Sequence, residues 1–142
     1  MEISEFGLDL IKKHEGCRLV GYLDSVGVAT IGYGSTYNVT PGMRITQAEA
    51  DDRLKNDVKA AENCVNKCVS VPLTQNEFDA LCSLVFNIGC GNFRKSTLLN
   101  LLNQNRQDEA AIEFTKWDKA GGHVLAGLTA RRHDDTRLFE SA

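Results

Sequence analysis

The run FDALCSLVFNI, Phe78 to Ile88, is apolar everywhere except Asp79, Ser83 and Asn87. Wound as a helix it shows apolar side chains on nearly every face, so it folds only if other elements surround it. Its start is marked by Thr74-Gln-Asn-Glu77, a capping box, with Leu73 and Phe78 placed as a hydrophobic staple. Gly89-Cys90-Gly91 ends it. Amphipathic segments at about 96–103 and 108–119, and a last helix from near Thr129 with Arg131-Arg132, supply the surroundings. Trp117 is read as core rather than as a sugar platform, since Trp buries a large area. Residues 69–142 therefore read as a helical lobe around one central helix.

The first part of the chain has another character. A helix runs from Ser4, the expected N-cap, to His14 or Glu15, with Phe6, Leu10 and Ile11 as its apolar stripe and Gly16 at C′. Residues 17–39 are short β-leaning runs cut by glycines at 21, 27, 32 and 34, which predicts two or three small strands. After Pro41-Gly42 comes a second capping box, Thr46-Gln-Ala-Glu49. The helix it opens carries a narrow stripe, Leu54, Val58, Ala61, Val65 and Cys68, polar over the rest of its surface. Such a helix suits a bridge between two lobes. The expectation is an α+β chain of one domain: a small lobe with a β-hairpin (1–45), a connecting helix (46–68) and a helical lobe (69–142). Two lobes joined by one helix are expected to leave a ligand-binding cleft.

Several classes of function are excluded. The net charge is −3, and the balance is 8 Lys/Arg against 10 Asp/Glu in residues 1–69 and 8 against 9 in 70–142. No positive field exists to hold nucleic acid. The acidic N-terminus lacks a signal peptide's basic and apolar regions, and no apolar run approaches a membrane span. Synthesis in the cytoplasm without a membrane anchor is expected. Five cysteines, at 17, 64, 68, 82 and 90, form an odd, irregular set without a Cys-x-x-Cys pair, and the histidines are scattered. Free thiols are expected, with no metal and no cofactor.

The stretch HEGCRLVGYLDSVGVATIGYGST, residues 14–36, carries the chemistry. Glu15 sits in the last turn of the first helix, at the negative end of the helix dipole. That position disfavours its ionised form, which suits a general acid. Asp24 opens the turn DSVG, and a turn at 25–28 would set it roughly opposite Thr30 across the hairpin. One carboxyl pushed towards neutrality and one left ionised are the minimum for glycosidic cleavage. A threonine hydroxyl can hold a water. The same residues read singly are ordinary: an Asp in a turn, a Thr in a strand.

The pattern Glu, eight residues, Asp, five residues, Thr closely resembles the active-site segment of the phage-type lysozymes, glycoside hydrolase family 24. The likeness continues through VPLTQNEFDALCSLVFNIGCGNF, STLLNLLN, KAGGHVLAGLTARR and RLF, and covers essentially the whole chain. It is most similar in character to soluble lambdoid-phage endolysins. The resemblance implies the lysozyme-like two-lobe fold. It also implies muramidase activity on the β-1,4 bond from N-acetylmuramic acid to N-acetylglucosamine in peptidoglycan, with lysis of the host cell. Glu15 would be the acid, Asp24 the base or electrostatic support, and Thr30 the water-positioning residue, giving inversion. Ser35 departs from the histidine many relatives carry there. Family members carry an arginine near the catalytic Glu, and Arg131 and Arg132 both fit. Each of these is otherwise a solvated basic end. Asn87 is either a polar group of the site or a satisfied core amide. As partners, glycan strands and a separate holin that releases a monomeric enzyme to the wall are implied. A lytic transglycosylase and a non-catalytic wall-binding module are the alternatives. The retained Asp24 and Thr30 argue against the first, and the full acid, base and threonine set against the second.

Overall fold

The computed structural model describes residues 1–141. The chain divides into two compact units, Met1–Leu10 with Ala60–Ala142, and Ile11–Lys59. The fold is α+β: a small lobe built on a β-hairpin, a connecting helical segment and a larger helical lobe.

In the smaller unit, the end of helix α1 (Glu5–Glu15) leads through Gly16, at φ 68°, into an antiparallel pair, β1 (Arg18–Leu23) and β2 (Ala29–Gly32). A left-handed C′ glycine ends the helix sharply and sets the strand's direction. Tyr22 pairs with Thr30 and Leu23 with Ala29, and a bulge separates these from the Arg18–Gly32 pair. Gly21 is wedged under the 40–43 loop, where a Cβ would lie 2.3 Å from the Thr40 carbonyl oxygen. Helix α2 (Gln47–Asp57) starts at the Thr46–Glu49 capping box, with both reciprocal bonds formed. Ala50 and Leu54 are its buried face. The expected single connecting helix is interrupted at Val58, after which α3 (Lys59–Cys68) continues.

The larger unit is organised by α4 (Gln75–Ile88), whose Thr74–Glu77 capping box is complete. All eight residues from Phe78 to Val85 are buried, as expected of the apolar run, while Phe86 and Ile88 are half-buried and Asn87 is exposed. α8 (Ala126–Glu140) and α5 (Cys90–Arg94) pack on it, and α6 (Thr97–Asn103) and α7 (Gln107–Glu113) pack on each other, α7 also against α8. α8 begins three residues before the expected Thr129. Between α7 and α8 lie a 3-10 turn, Phe114–Lys116, and a hairpin of β3 (Lys119–Ala120) and β4 (His123–Val124). Gly121 and Gly122, at φ 58° and 80°, make its two-residue turn. Trp117 follows the 3-10 turn and is half-buried.

Two expectations need correction. Phe6 is 65% exposed and Leu10 half-buried; α1 buries Ile11, as expected, and Leu8 in place of Phe6. The cause is Gly7, which lies against Asp79 so closely that a Cβ would come 2.8 Å from its Cγ. Asp79 is itself buried, accepting bonds from the Ser4 backbone N–H (3.0 Å), the Ser4 hydroxyl and the Gln75 amide (2.8 Å). That anchor turns the Gly7–Leu8–Ile11 face inward and Phe6 out. The cysteines are not all free: Cys64 of α3 and Cys90 of α5 are joined by a disulfide, with Cα atoms 5.9 Å apart. Their separation of 26 residues carries no sign of this, because tertiary packing of α3 and α5 brings them together.

Candidate active site

Glu15, Asp24 and Thr30 all belong to the smaller unit. Glu15 is the last residue of α1 and is half-buried. Its Oε2 lies over Gly34, where an added Cβ would be 3.3 Å away. Gly34 also has φ 85°, a conformation that favours glycine. Gly34, two residues beyond β2, thus leaves room for the carboxylate. The end of α1 is held to α2 as well: Lys12 Nζ is 3.2 Å from Asp51 Oδ1 and lies over the Tyr33 ring, 5.6 Å from its centroid. Gln47 donates to both the Tyr33 hydroxyl (3.0 Å) and Asp51 (3.1 Å). The hydrogen bonds from Gln47 and Lys12 lower the Asp51 pKa, and burial raises that of Tyr33. This Lys12–Asp51–Gln47–Tyr33 set holds the end of α1, whose last residue is Glu15, to α2 and to the segment after β2.

Asp24 closes the hairpin turn. Its Oδ1 accepts from the Val26 N–H (3.0 Å) and the Val28 N–H (2.8 Å), and its backbone N–H donates to the Val28 carbonyl at 2.9 Å. An Asx turn of this kind uses one carboxylate oxygen; Oδ2 takes no part in these bonds. Asp24 thus pairs with Val28, and Tyr22, not Asp24, stands opposite Thr30. The expected facing pair is corrected to a diagonal one. Thr30 follows Val28 by two positions, so alternation keeps it on the Asp24 side of the hairpin. The hairpin closes early because the Asp24 carboxylate caps it.

Thr30 is 5% exposed and its hydroxyl donates to the Val28 carbonyl at 2.9 Å. With its hydrogen committed, Oγ1 is left with acceptor capacity only. Behind the hairpin, Ser35 is buried, with Arg53 Nη1 3.4 Å from its hydroxyl. Arg53 also donates to the Tyr37 carbonyl at 2.6 Å. Desolvation raises the Asp57 carboxyl against the opposing pull of Ser35 and Arg53.

The remaining candidates lie in the larger unit. Arg132 is fully buried, donating from Nη2 to Asn87 Oδ1 at 2.8 Å, with Nε 3.4 Å from Asp135 Oδ2. Ser83 donates to the other oxygen of Asp135 at 2.6 Å. The Ser83–Asp135–Arg132–Asn87 chain thus ties α8 to α4, and desolvation lowers the Arg132 pKa. Arg131 is also buried, at 5% exposure. Neither arginine is the solvated basic end that surface charge would suggest. Asn87 is exposed, and its oxygen accepts from Arg132.

Sequence reasoning missed Lys12, Gln47, Asp51 and Tyr33. Lys12 passes for a helix-dipole partner, and only the Gln47–Asp51 spacing of four on α2 hinted at a shared face. Gly34 was visible only as one of several turn glycines.

Residues 12–135 match the family model described as phage lysozyme. The chain is 47% identical over 146 residues to the endolysin of Acyrthosiphon pisum secondary endosymbiont phage 1, covering all of both chains. Among solved structures, the muramidase domain of SpmX from Asticaccaulis excentricus superposes with a TM-score of 0.94 at 39% identity, covering 99% of each chain. A mutant of P22 lysozyme gives 0.94 at 42% identity, also over 99% of each chain.

Proposed function

The chain belongs to the phage lysozyme family, and from that premise we infer how its residues carry out the work of an endolysin. It is a muramidase acting on peptidoglycan. The bond cut is the β-1,4 link from N-acetylmuramic acid to N-acetylglucosamine. Glu15 is the general acid that protonates the departing glycosidic oxygen. Asp24 Oδ2 and Thr30 Oγ1 act together on a water. Because both can only accept, the water donates one hydrogen to each, and its lone pair is left to attack the anomeric carbon. Attack by an independently held water inverts the anomeric centre.

The observation that carries this reading is the committed hydroxyl of Thr30, bonded to Val28 on the strand that Asp24 closes. A turn aspartate and a strand threonine need no such coupling for folding alone. The exposed Asn87, its oxygen held by the buried Arg132, offers its NH₂ as a glycan contact of the helical unit, with Arg131 and Arg132 as positioning residues. The enzyme works as a monomer after synthesis in the host cytoplasm, and a separate holin gives it access to the wall. Among the described residues no helix is long and apolar enough to cross a membrane.

The test is clearing of chloroform-treated Gram-negative cells. Glu15→Gln is expected to lower the rate by at least ~100-fold while the melting temperature holds or rises. A folded Glu15→Gln protein that still clears cells at wild-type rate would remove Glu15 as the acid.

A further inference from the structure

Three cysteine sulfurs, of Cys64, Cys68 and Cys90, lie within 4.8 Å of one another. Cys64 and Cys68 stand one turn apart on α3, and Cys90 is the first residue of α5. We propose that in the reduced chain these three thiolates form a binding site for a soft d10 metal ion, and that the Cys64–Cys90 disulfide is the oxidised alternative of the same site.

The geometry is close to what such an ion needs. A thiolate-bound ion sits ~2.3 Å from each sulfur, which places neighbouring sulfurs roughly 3.8 to 4 Å apart. The Cys64 and Cys90 Cα atoms, 5.9 Å apart, allow that spacing by side-chain rotation once the two sulfurs are not bonded. Cys64 is 5% exposed while Cys68 and Cys90 are half-buried, so the cluster is sheltered on one side and open to an entering ion on the other. The Cys68 end is fixed from outside the cluster. Its carbonyl accepts from Asn103 Nδ2 at 3.0 Å, and the Asn103 oxygen accepts the Ser70 N–H at 2.9 Å. Three sulfur donors select thiophilic ions: monovalent copper in trigonal geometry, or zinc with water as a fourth ligand.

Cys68 is the telling residue. A structural disulfide between α3 and α5 needs only Cys64 and Cys90, yet a free third thiol sits beside them. The other two cysteines are not part of the group: Cys17 is exposed, and burial pushes the thiol of Cys82 up, keeping it protonated. Disulfide formation removes two electrons and two protons from Cys64 and Cys90, passed to an external disulfide such as oxidised glutathione. It consumes two of the three donors, so metal and disulfide exclude each other. Either one clips α3 to α5.

The full chain, reduced with a phosphine and desalted without oxygen, is titrated with Cd(II), following the ultraviolet thiolate-to-cadmium band. One ion per chain is expected. Cys68→Ser should bind at least tenfold more weakly and Cys17→Ser unchanged. The disulfide form of the wild type should show no band. Absence of a band in the reduced chain, or a band untouched by Cys68→Ser, overturns the proposal. As a check independent of that variant's folding, Zn(II) should slow oxidation of Cys64 and Cys90 by oxidised glutathione, mapped by peptide mass spectrometry. Equal rates with and without Zn(II) would overturn it as well. The readouts do not depend on lytic activity, and the cluster contains none of the residues proposed to act on glycan.

Discussion

Thr30 shows how much of the proposed chemistry depends on one hydrogen. Its Oγ1 donates to the Val28 carbonyl at 2.9 Å, so towards a water it can only accept. Thr30→Ser keeps that arrangement and Thr30→Val removes it at nearly constant volume. Steady-state kinetics on purified glycan strands should show a fall in kcat of roughly 100-fold for Thr30→Val, with KM little changed, and near-normal turnover for Thr30→Ser. Gly34 is the second sensitive position. Gly34→Ala strains a backbone at φ 85° and places a methyl 3.3 Å from Glu15 Oε2. The expected stability loss is about 1 to 2 kcal/mol, measured by urea unfolding, with a loss of activity larger than that instability explains. A variant that loses stability but not activity would show that Gly34 serves the turn alone. At this scale the sequence was partly readable. Glu15 stood out because a carboxylate at a helix C-terminus breaks a local preference. The tie of the end of α1 to α2 through Lys12, Asp51, Gln47 and Tyr33 was not readable, since those contacts join elements far apart in the chain. Asp24 was read twice, as turn residue and as catalytic candidate; its Oδ1 makes the turn, and the proposed role falls to Oδ2.

Elements announced themselves where the signal was local. Both capping boxes form, and α4 is buried from Phe78 to Val85, the greater part of its apolar run. What could not be read came from packing: the break at Val58, the short α5, and the outward turn of Phe6 caused by Gly7 against Asp79. The α4–α8 contact carries a prediction. Arg132→Met removes the guanidinium that lies 3.4 Å from the fully buried Asp135, whose other oxygen accepts from Ser83. Removing one partner of a buried ion pair costs about 3 to 5 kcal/mol, to be read as a lowered denaturation midpoint. The α1–α2 tie predicts a pH dependence. The folded-state pKa of Asp51 is lowered by Gln47 and Lys12, so its contribution is present above the unfolded value and is lost as pH falls through the folded one. The stability difference between wild type and Asp51→Asn should therefore be constant near neutrality and shrink only below the ordinary carboxylate range. A difference that instead shrinks between neutrality and that range would contradict the assignment.

For the whole molecule, the family resemblance and the element order agree on an α+β phage lysozyme, and the matched region, residues 12–135, spans both units. Holin-dependent action predicts that expression in a Gram-negative host leaves culture density rising until chloroform or a co-expressed holin is supplied. Prompt lysis without either would contradict it. The central claim is that the Asp24–Thr30 hairpin delivers water to the anomeric carbon after Glu15 protonates the leaving oxygen. Digestion of purified peptidoglycan in oxygen-18 water, followed by mass spectrometry of the muropeptides, tests it most directly. The account predicts reducing-end muramic acid carrying the label in every newly formed fragment. Unlabelled 1,6-anhydromuramic ends would contradict it and make the chain a transglycosylase.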